Sequence, residues 1–229
     1  MSPKPALIAS TQESVHDACL RMVADGLVIG SAGNISARVG RHHAVVTAGG
    51  VAYDRLTPDD HPLVDLRDGS WSGPRKPTSE MALHTGLLRA MPKVSAIVHT
   101  HSVHAAAFAV ARVDLPFICN ENMIMRSERV LVTDYAPPGT EDLGQQALTA
   151  LRRQRGSRAV LLANHGVVAV GEDLDAAELV ARAVEWTARI CAVARQLGGE
   201  HVLDRATQQA IGHNYGITVA PLTSGRRMP

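Results

Sequence analysis

Lysine is scarce in this chain: Lys4, Lys76 and Lys93 are the only three among 229 residues. None sits in an apolar stretch that would depress its pKa, which argues against a Schiff-base amine. Aromatics are equally few, with two Phe, three Tyr and two Trp. Ala, Val and Leu must therefore do most of the packing. Apolar residues still make up 45 % of the chain, enough for a sizeable core. The three cysteines, Cys19, Cys119 and Cys191, lie far apart in no Cys-x-x-Cys pair. That speaks against a disulfide framework and for free thiols in a reducing, cytoplasmic setting. No apolar run reaches the ~18–20 residues of a membrane span, and none resembles a signal peptide. Formal net charge is +1 with His neutral, so charge alone suggests no nucleic-acid or membrane partner.

What is present reads as one α/β domain over residues 1–229, with no repeat or linker. The core is expected over about 12–216, with a loose leader over 1–10 and a mobile tail over 221–229. Helical spacing predicts helices over 12–27, 78–91, 102–110, 140–154, 173–197 and 202–213. Alternating segments at 34–39 and 44–47 flank a Gly40 turn and predict a hairpin. Further hairpins are expected at 63–71 and 158–170, with strands at 96–99 and 130–132. Short hairpins mixed with helices predict a largely antiparallel central sheet flanked by helices.

Val98-His99-Thr100-His101 closes the most apolar strand. Histidines two apart on a strand share a face. A third, His165, sits in the Asn164-His165-Gly166 turn. Three imidazoles with an open fourth corner suit zinc or a similar divalent metal. With 11 histidines in the chain, satisfied core hydrogen bonds remain the alternative by spacing alone. Lys76-Pro77-Thr78-Ser79-Glu80 marks a helix start. It reads either as an ordinary cap with a well-placed acid, or as hydroxyls and amides for an anion with Glu80 as a base or metal ligand. Gly33-Asn34 and Gly49-Gly50 read as hairpin turns or as backbone that approaches a phosphate.

Gly33-Asn34-Ile35-Ser36, Lys76 to Glu80, Ile97 to Ser102 and Asn164-His165-Gly166, in that order, resemble the class II aldolase/adducin family. The likeness covers roughly residues 12–216 and implies that family's three-layer fold. It implies one divalent metal per subunit, zinc foremost with manganese or cobalt as alternatives, held by His99, His101 and His165. Glu80 matches the family's acid, on the metal in the empty site and a base when substrate displaces it. Gly33, Asn34, Gly49, Gly50, Thr78 and Ser79 match phosphate-binding positions. Tyr215 matches a C-terminal tyrosine that reaches a neighbouring subunit's site, which implies a homotetramer with intersubunit active sites. His104 matches no ligand position and reads as a helix residue. Two positions depart from the pattern. Gly49 stands where the family often has Thr or Ser, and Asn122 aligns with a tyrosine that protonates the aldehyde oxygen.

The implied reaction is reversible cleavage of a ketose 1-phosphate, of 6-deoxy-hexulose or 5-deoxy-pentulose type. Its products are dihydroxyacetone phosphate and a short aldehyde. Alternatives are decarboxylation of a 3-keto sugar-acid phosphate and 4-epimerisation of a pentulose 5-phosphate, although epimerases usually carry Asp at the Glu80 position. An adducin-like binding module is the non-enzymatic alternative.

Overall fold

Apolar alternation along adjacent strands builds a sheet with two buried faces. A computed structural model describes residues 3–222. The chain opens with α1 (Pro5–Ala24), followed by β1 (Asn34–Val39), β2 (His43–Val46), β3 (Leu63–Asp65), β4 (Trp71–Ser72) and α2 (Met81–Ala90). Next come β5 (Ala96–Thr100), α3 (Val103–Ala111), β6 (Leu115–Pro116), β7 (Arg129–Val130) and α4 (Glu141–Arg153). It closes with β8 (Ala159–Leu162), β9 (Gly166–Gly171), α5 (Leu174–Gln196) and α6 (Arg205–Asn214). Seven strands form one sheet in the order β4-β3-β2-β1-β5-β9-β8. Every pairing between these seven strands is antiparallel.

Ile35, Ala37, Val98, Val167 and Ala169 pack on α1, α3 and α5 on one side. Ile97, Val160, Val168 and Val170 pack on α2 and α4 on the other. Successive residues thus feed opposite cores, as the strand period requires. His99 shares parity with Ile97, so it emerges on the α2 face, where Glu80 begins the helix.

Several boundaries differ from the sequence expectation. Residues 5–10 belong to α1 rather than to a loose leader. Pro5 occupies the first helical position, where its missing N–H costs nothing. Helix α2 starts at Met81, not Thr78, because residues 76–78 pair with the end of β2 instead. Gly49 N–H donates to the Lys76 carbonyl (3.1 Å) and Thr78 N–H to the Thr47 carbonyl (2.8 Å). Val132 joins the sheet only as an isolated parallel bridge to Leu161. Of the expected tail, residues 223–229 lie outside the described residues. Among the described residues, no helix is long and apolar enough to cross a membrane.

His61 is fully buried, with Nδ1 accepting from the Ala48 N–H (3.3 Å) and Nε2 facing His16 Nδ1 (3.3 Å). Burial, reinforced by His16 and opposed by Asp60, lowers its pKa from 6.5 to about 4. The unfolded chain therefore binds more protons between those values, and stability falls as pH drops through that window. A tenfold change in proton affinity corresponds to about 1.4 kcal/mol, so the contribution is on the order of a few kcal/mol. His61→Asn should flatten the acid limb of a Tm-against-pH curve. An unchanged limb would remove His61 as its source.

Candidate metal and active site

Four side chains converge at the α2 end of the β1–β5–β9 strands. Glu80, His99, His101 and His165 each offer a donor atom, all within 4.8 Å of one another. His99 Nε2 lies 2.9 Å from His101 Nε2 and 3.1 Å from Glu80 Oε2. His165 Nε2 lies 3.4 Å from Glu80 Oε1. The three imidazole centroids are each 4.8 Å apart.

The tautomer of His99 is fixed from outside the cluster. Its Nδ1–H donates to the Val167 carbonyl at 2.8 Å, which leaves Nε2 as a lone pair aimed inward. Two such lone pairs at 2.9 Å repel unless a proton or cation lies between them. Nitrogens about 2.0–2.1 Å from one tetrahedral zinc stand about 3.3 Å apart, close to the spacings seen. Glu80 Oε1 is buried with no hydrogen-bond partner, as is His165 Nδ1. The donor set fits a divalent metal.

Electrostatics agree with neutral His101 and His165 rings beside a carboxylate. Burial, then the neighbouring His99 and His165 rings, pushes His101 down to about 4. Burial likewise lowers His165. Burial opposes ionisation of Glu80, but the neighbouring His99 and His165 rings and the Asn34 amide outweigh it and hold the carboxyl below its usual range.

Close backbone approach makes this convergence possible. Gly33 has φ +82°, and a Cβ there would meet the His99 carbonyl oxygen at 2.6 Å. A Cβ on Gly166 would collide with the Thr100 carbonyl. Tyr53 donates its hydroxyl to the Gly33 carbonyl at 2.6 Å and steadies the entry to β1.

The family model for the class II aldolase and adducin N-terminal domain matches residues 13–192. The chain belongs to the class II aldolase/adducin family. It is 36 % identical over 181 residues to a 5-methylthioribulose-1-phosphate/5-deoxyribulose-1-phosphate aldolase of Rhodospirillum rubrum, covering 79 % of this chain and 80 % of that one. It is 27 % identical over 218 residues to an L-fuculose phosphate aldolase of Haemophilus influenzae, covering 92 % and 97 %. A solved L-fuculose 1-phosphate aldolase superposes with a TM-score of 0.83 at 27 % identity, over 91 % of this chain and 97 % of that one. The antiparallel sheet between two helical layers is this family's fold.

Within this class II aldolase fold, most of the residues expected from sequence meet at one place. Asn34 is buried and donates Nδ2–H to Glu80 Oε2 at 2.9 Å, so its side chain is engaged with the acid. Gly49 packs on the 77–78 backbone, where a Cβ would lie 3.1 Å from the Pro77 carbonyl oxygen. Its missing side chain is thus matched to a close loop crossing. Gly50 and Ser79 are exposed beside it. Thr78 is buried, with its hydroxyl accepting from the Glu80 N–H at 3.3 Å.

Two further residues share no hydrogen bond with the cluster: Tyr215, expected at a neighbouring subunit's site, and Asn122. Tyr215 caps the C-terminal end of α6 and is 60 % exposed. Asn122 is buried inside its own loop rather than aimed at a substrate. Its Oδ1 accepts from the Ile118 and Cys119 N–H groups at 3.1 Å, and its Nδ2 donates to the Pro116 carbonyl at 3.2 Å. All of that amide's geometry is spent on the loop, so it does not stand in for a tyrosine. His104 is a helix residue, as expected, held at 2.7 Å by Glu185.

Sequence reading missed Tyr53 and Arg112. Arg112 clamps Asn164 Oδ1 at 2.9 Å, beside His165. Neither carries a local motif, and only the fold brings them to the site.

Proposed function

We propose that this chain is a metal-dependent aldehyde-lyase that reversibly cleaves a ketose 1-phosphate to dihydroxyacetone phosphate and a short aldehyde. The convergence of His99, His101, His165 and Glu80 on one point carries this reading. The three exposed lysines, Lys4, Lys76 and Lys93, support it, because a Schiff-base route needs a buried amine.

His99, His101 and His165 hold the divalent cation, zinc by donor type with manganese or cobalt as alternatives. When bound, that cation supplies Lewis-acid polarisation of the substrate carbonyl. The protein residues supply the proton transfers. Cleavage breaks a carbon–carbon bond, and the hydroxyl on the departing carbon loses its proton and becomes the aldehyde. The electron pair stays with the ketone fragment, and Glu80 passes to that carbon a proton that it has first taken up from water. Asn34 anchors Oε2 of Glu80, so the unpartnered Oε1 is the oxygen that carries the proton. Water, or Tyr215 from a neighbouring subunit, takes the hydroxyl proton, since Asn122 is engaged in its loop. Thr78, Ser79 and the Gly33, Asn34 and Gly50 backbones receive the phosphate, while Gly49, whose N–H is held by the Lys76 carbonyl, shapes the loop beside them.

The substrate is a 5-deoxy-pentulose or 6-deoxy-hexulose 1-phosphate, in keeping with the names of the two curated relatives. A homotetramer with sites between subunits suits the exposed Tyr215. It also suits the apolar face of α5, where Trp186 is 57 % and Val193 47 % exposed. Three free thiols support a cytoplasmic setting.

A coupled assay for dihydroxyacetone phosphate, run over a panel of ketose 1-phosphates, tests the reading. Product release should vanish with a chelator and return with a divalent metal. Carbon dioxide release without dihydroxyacetone phosphate from a 3-keto acid phosphate would replace it with the decarboxylase alternative.

A further inference from the structure

A buried hydrogen-bond relay reaches Glu80 from behind the cluster. Asn34 and Ser36 lie two apart on β1 and share a face. His84 follows Glu80 by four residues, which places both on one side of the α2 start. All four are buried. Ser36 Oγ lies 2.7 Å from His84 Nδ1, and His84 Nε2 lies 2.5 Å from Asn34 Oδ1. Asn34 Nδ2 completes the relay at 2.9 Å from Glu80 Oε2.

One end of the relay fixes its direction. An ionised carboxylate only accepts. Asn34 must therefore turn its amino group to Glu80 and its carbonyl to His84. His84 must donate from Nε2, and its bare Nδ1 then accepts from the Ser36 hydroxyl. Every proton points toward Glu80, and reversing one link would set two acceptors or two donors face to face. Burial, with the neighbouring His99 ring adding, pushes the His84 imidazole down to about 3, so the ring is neutral as the relay requires. Both ring nitrogens are engaged, which leaves His84 none to offer a cation.

We propose that His84 and Ser36 are positioning residues that lock the Asn34 amide, which in turn clamps Oε2 of Glu80 and keeps Oε1 free for proton transfer. The kinetic consequence rests on the proposed role of Glu80; the direction of the relay does not.

Nitrogen-15 NMR of the metal-free protein reads the direction without any activity. His84 should carry its proton on Nε2 at neutral pH, and Ser36→Ala should shift the Nδ1 resonance. A proton on Nδ1 of His84, or an imidazolium, overturns the relay. His84→Phe removes the donor and should lower kcat about 10–100-fold, the usual loss when a group behind a site's ligands is removed, with KM unchanged. His84→Gln still offers an N–H and should recover most of that loss. Equal losses in the two variants, or a change in KM alone, would overturn the positioning role. If circular dichroism shows that His84→Phe does not fold, His84→Gln and the wild-type tautomer decide. Wild-type protein with the Nε2–H tautomer but no dihydroxyacetone phosphate release would defeat the aldolase reading and leave the relay standing.

Discussion

Glu80→Gln is expected to lower proton exchange on dihydroxyacetone phosphate by about 10²–10⁴-fold, the span that a positioned general base contributes. The substitution is nearly isosteric, and its side-chain carbonyl can still accept from Asn34 Nδ2. The fold and the relay should survive. What disappears is the carboxylate oxygen that is buried without a hydrogen-bond partner, the one placed to take up and return the proton. Metal content should stay near that of the wild type, because three imidazoles remain. Deuterium incorporation followed by proton NMR in heavy water reads the exchange, and elemental analysis reads the metal. Undiminished exchange would remove Glu80 as the base. Lost metal with lost exchange would make the acid a ligand first.

His99→Ala should cost more than about 100-fold in metal affinity, since removing a group merely behind the ligands already costs about 10–100-fold. A three-histidine site has no spare donor. His99 is also the best anchored of the three, with Nδ1 fixed by the Val167 carbonyl at 2.8 Å. Its Nε2 therefore reaches the cation with little ordering cost, and no neighbour can replace it. Competition with a chromophoric chelator measures the affinity, and circular dichroism checks the fold. His165→Ala should lose less, because its Nδ1 has no partner to hold the ring. Equal and small losses in both variants would mean that the cluster is a polar core rather than a metal site.

Legibility of the site followed the range of each signal. The His99–His101 pair could be read because strand period alone puts both rings on one face. The Glu80–His84 spacing and the Asn34–Ser36 spacing carried the same kind of signal, yet the relay could not be read from them. Each pair fixes a face, but which face meets which depends on β1 lying beside β5 and α2 packing across both. The helix start at Thr78 was misplaced for a related reason. Residues 76–78 look like a cap, but the end of β2 competes for their backbone groups and wins. Asn122 looked like a substitute for a tyrosine in one dimension, whereas in three its amide brackets its own loop.

By itself the sequence determined the class of fold, the antiparallel hairpins, the histidine pair and the acid that belongs with it. These depend on local period, turn residues and ordered motifs, all of which are properties of neighbours along the chain. Only the tertiary structure decided how closely His165 approaches the pair, that Gly33 and Gly166 permit it, and that His84 and Ser36 stand behind Glu80. Those facts depend on strand order and on sub-ångström backbone clearance between segments far apart in sequence, and no local pattern encodes either.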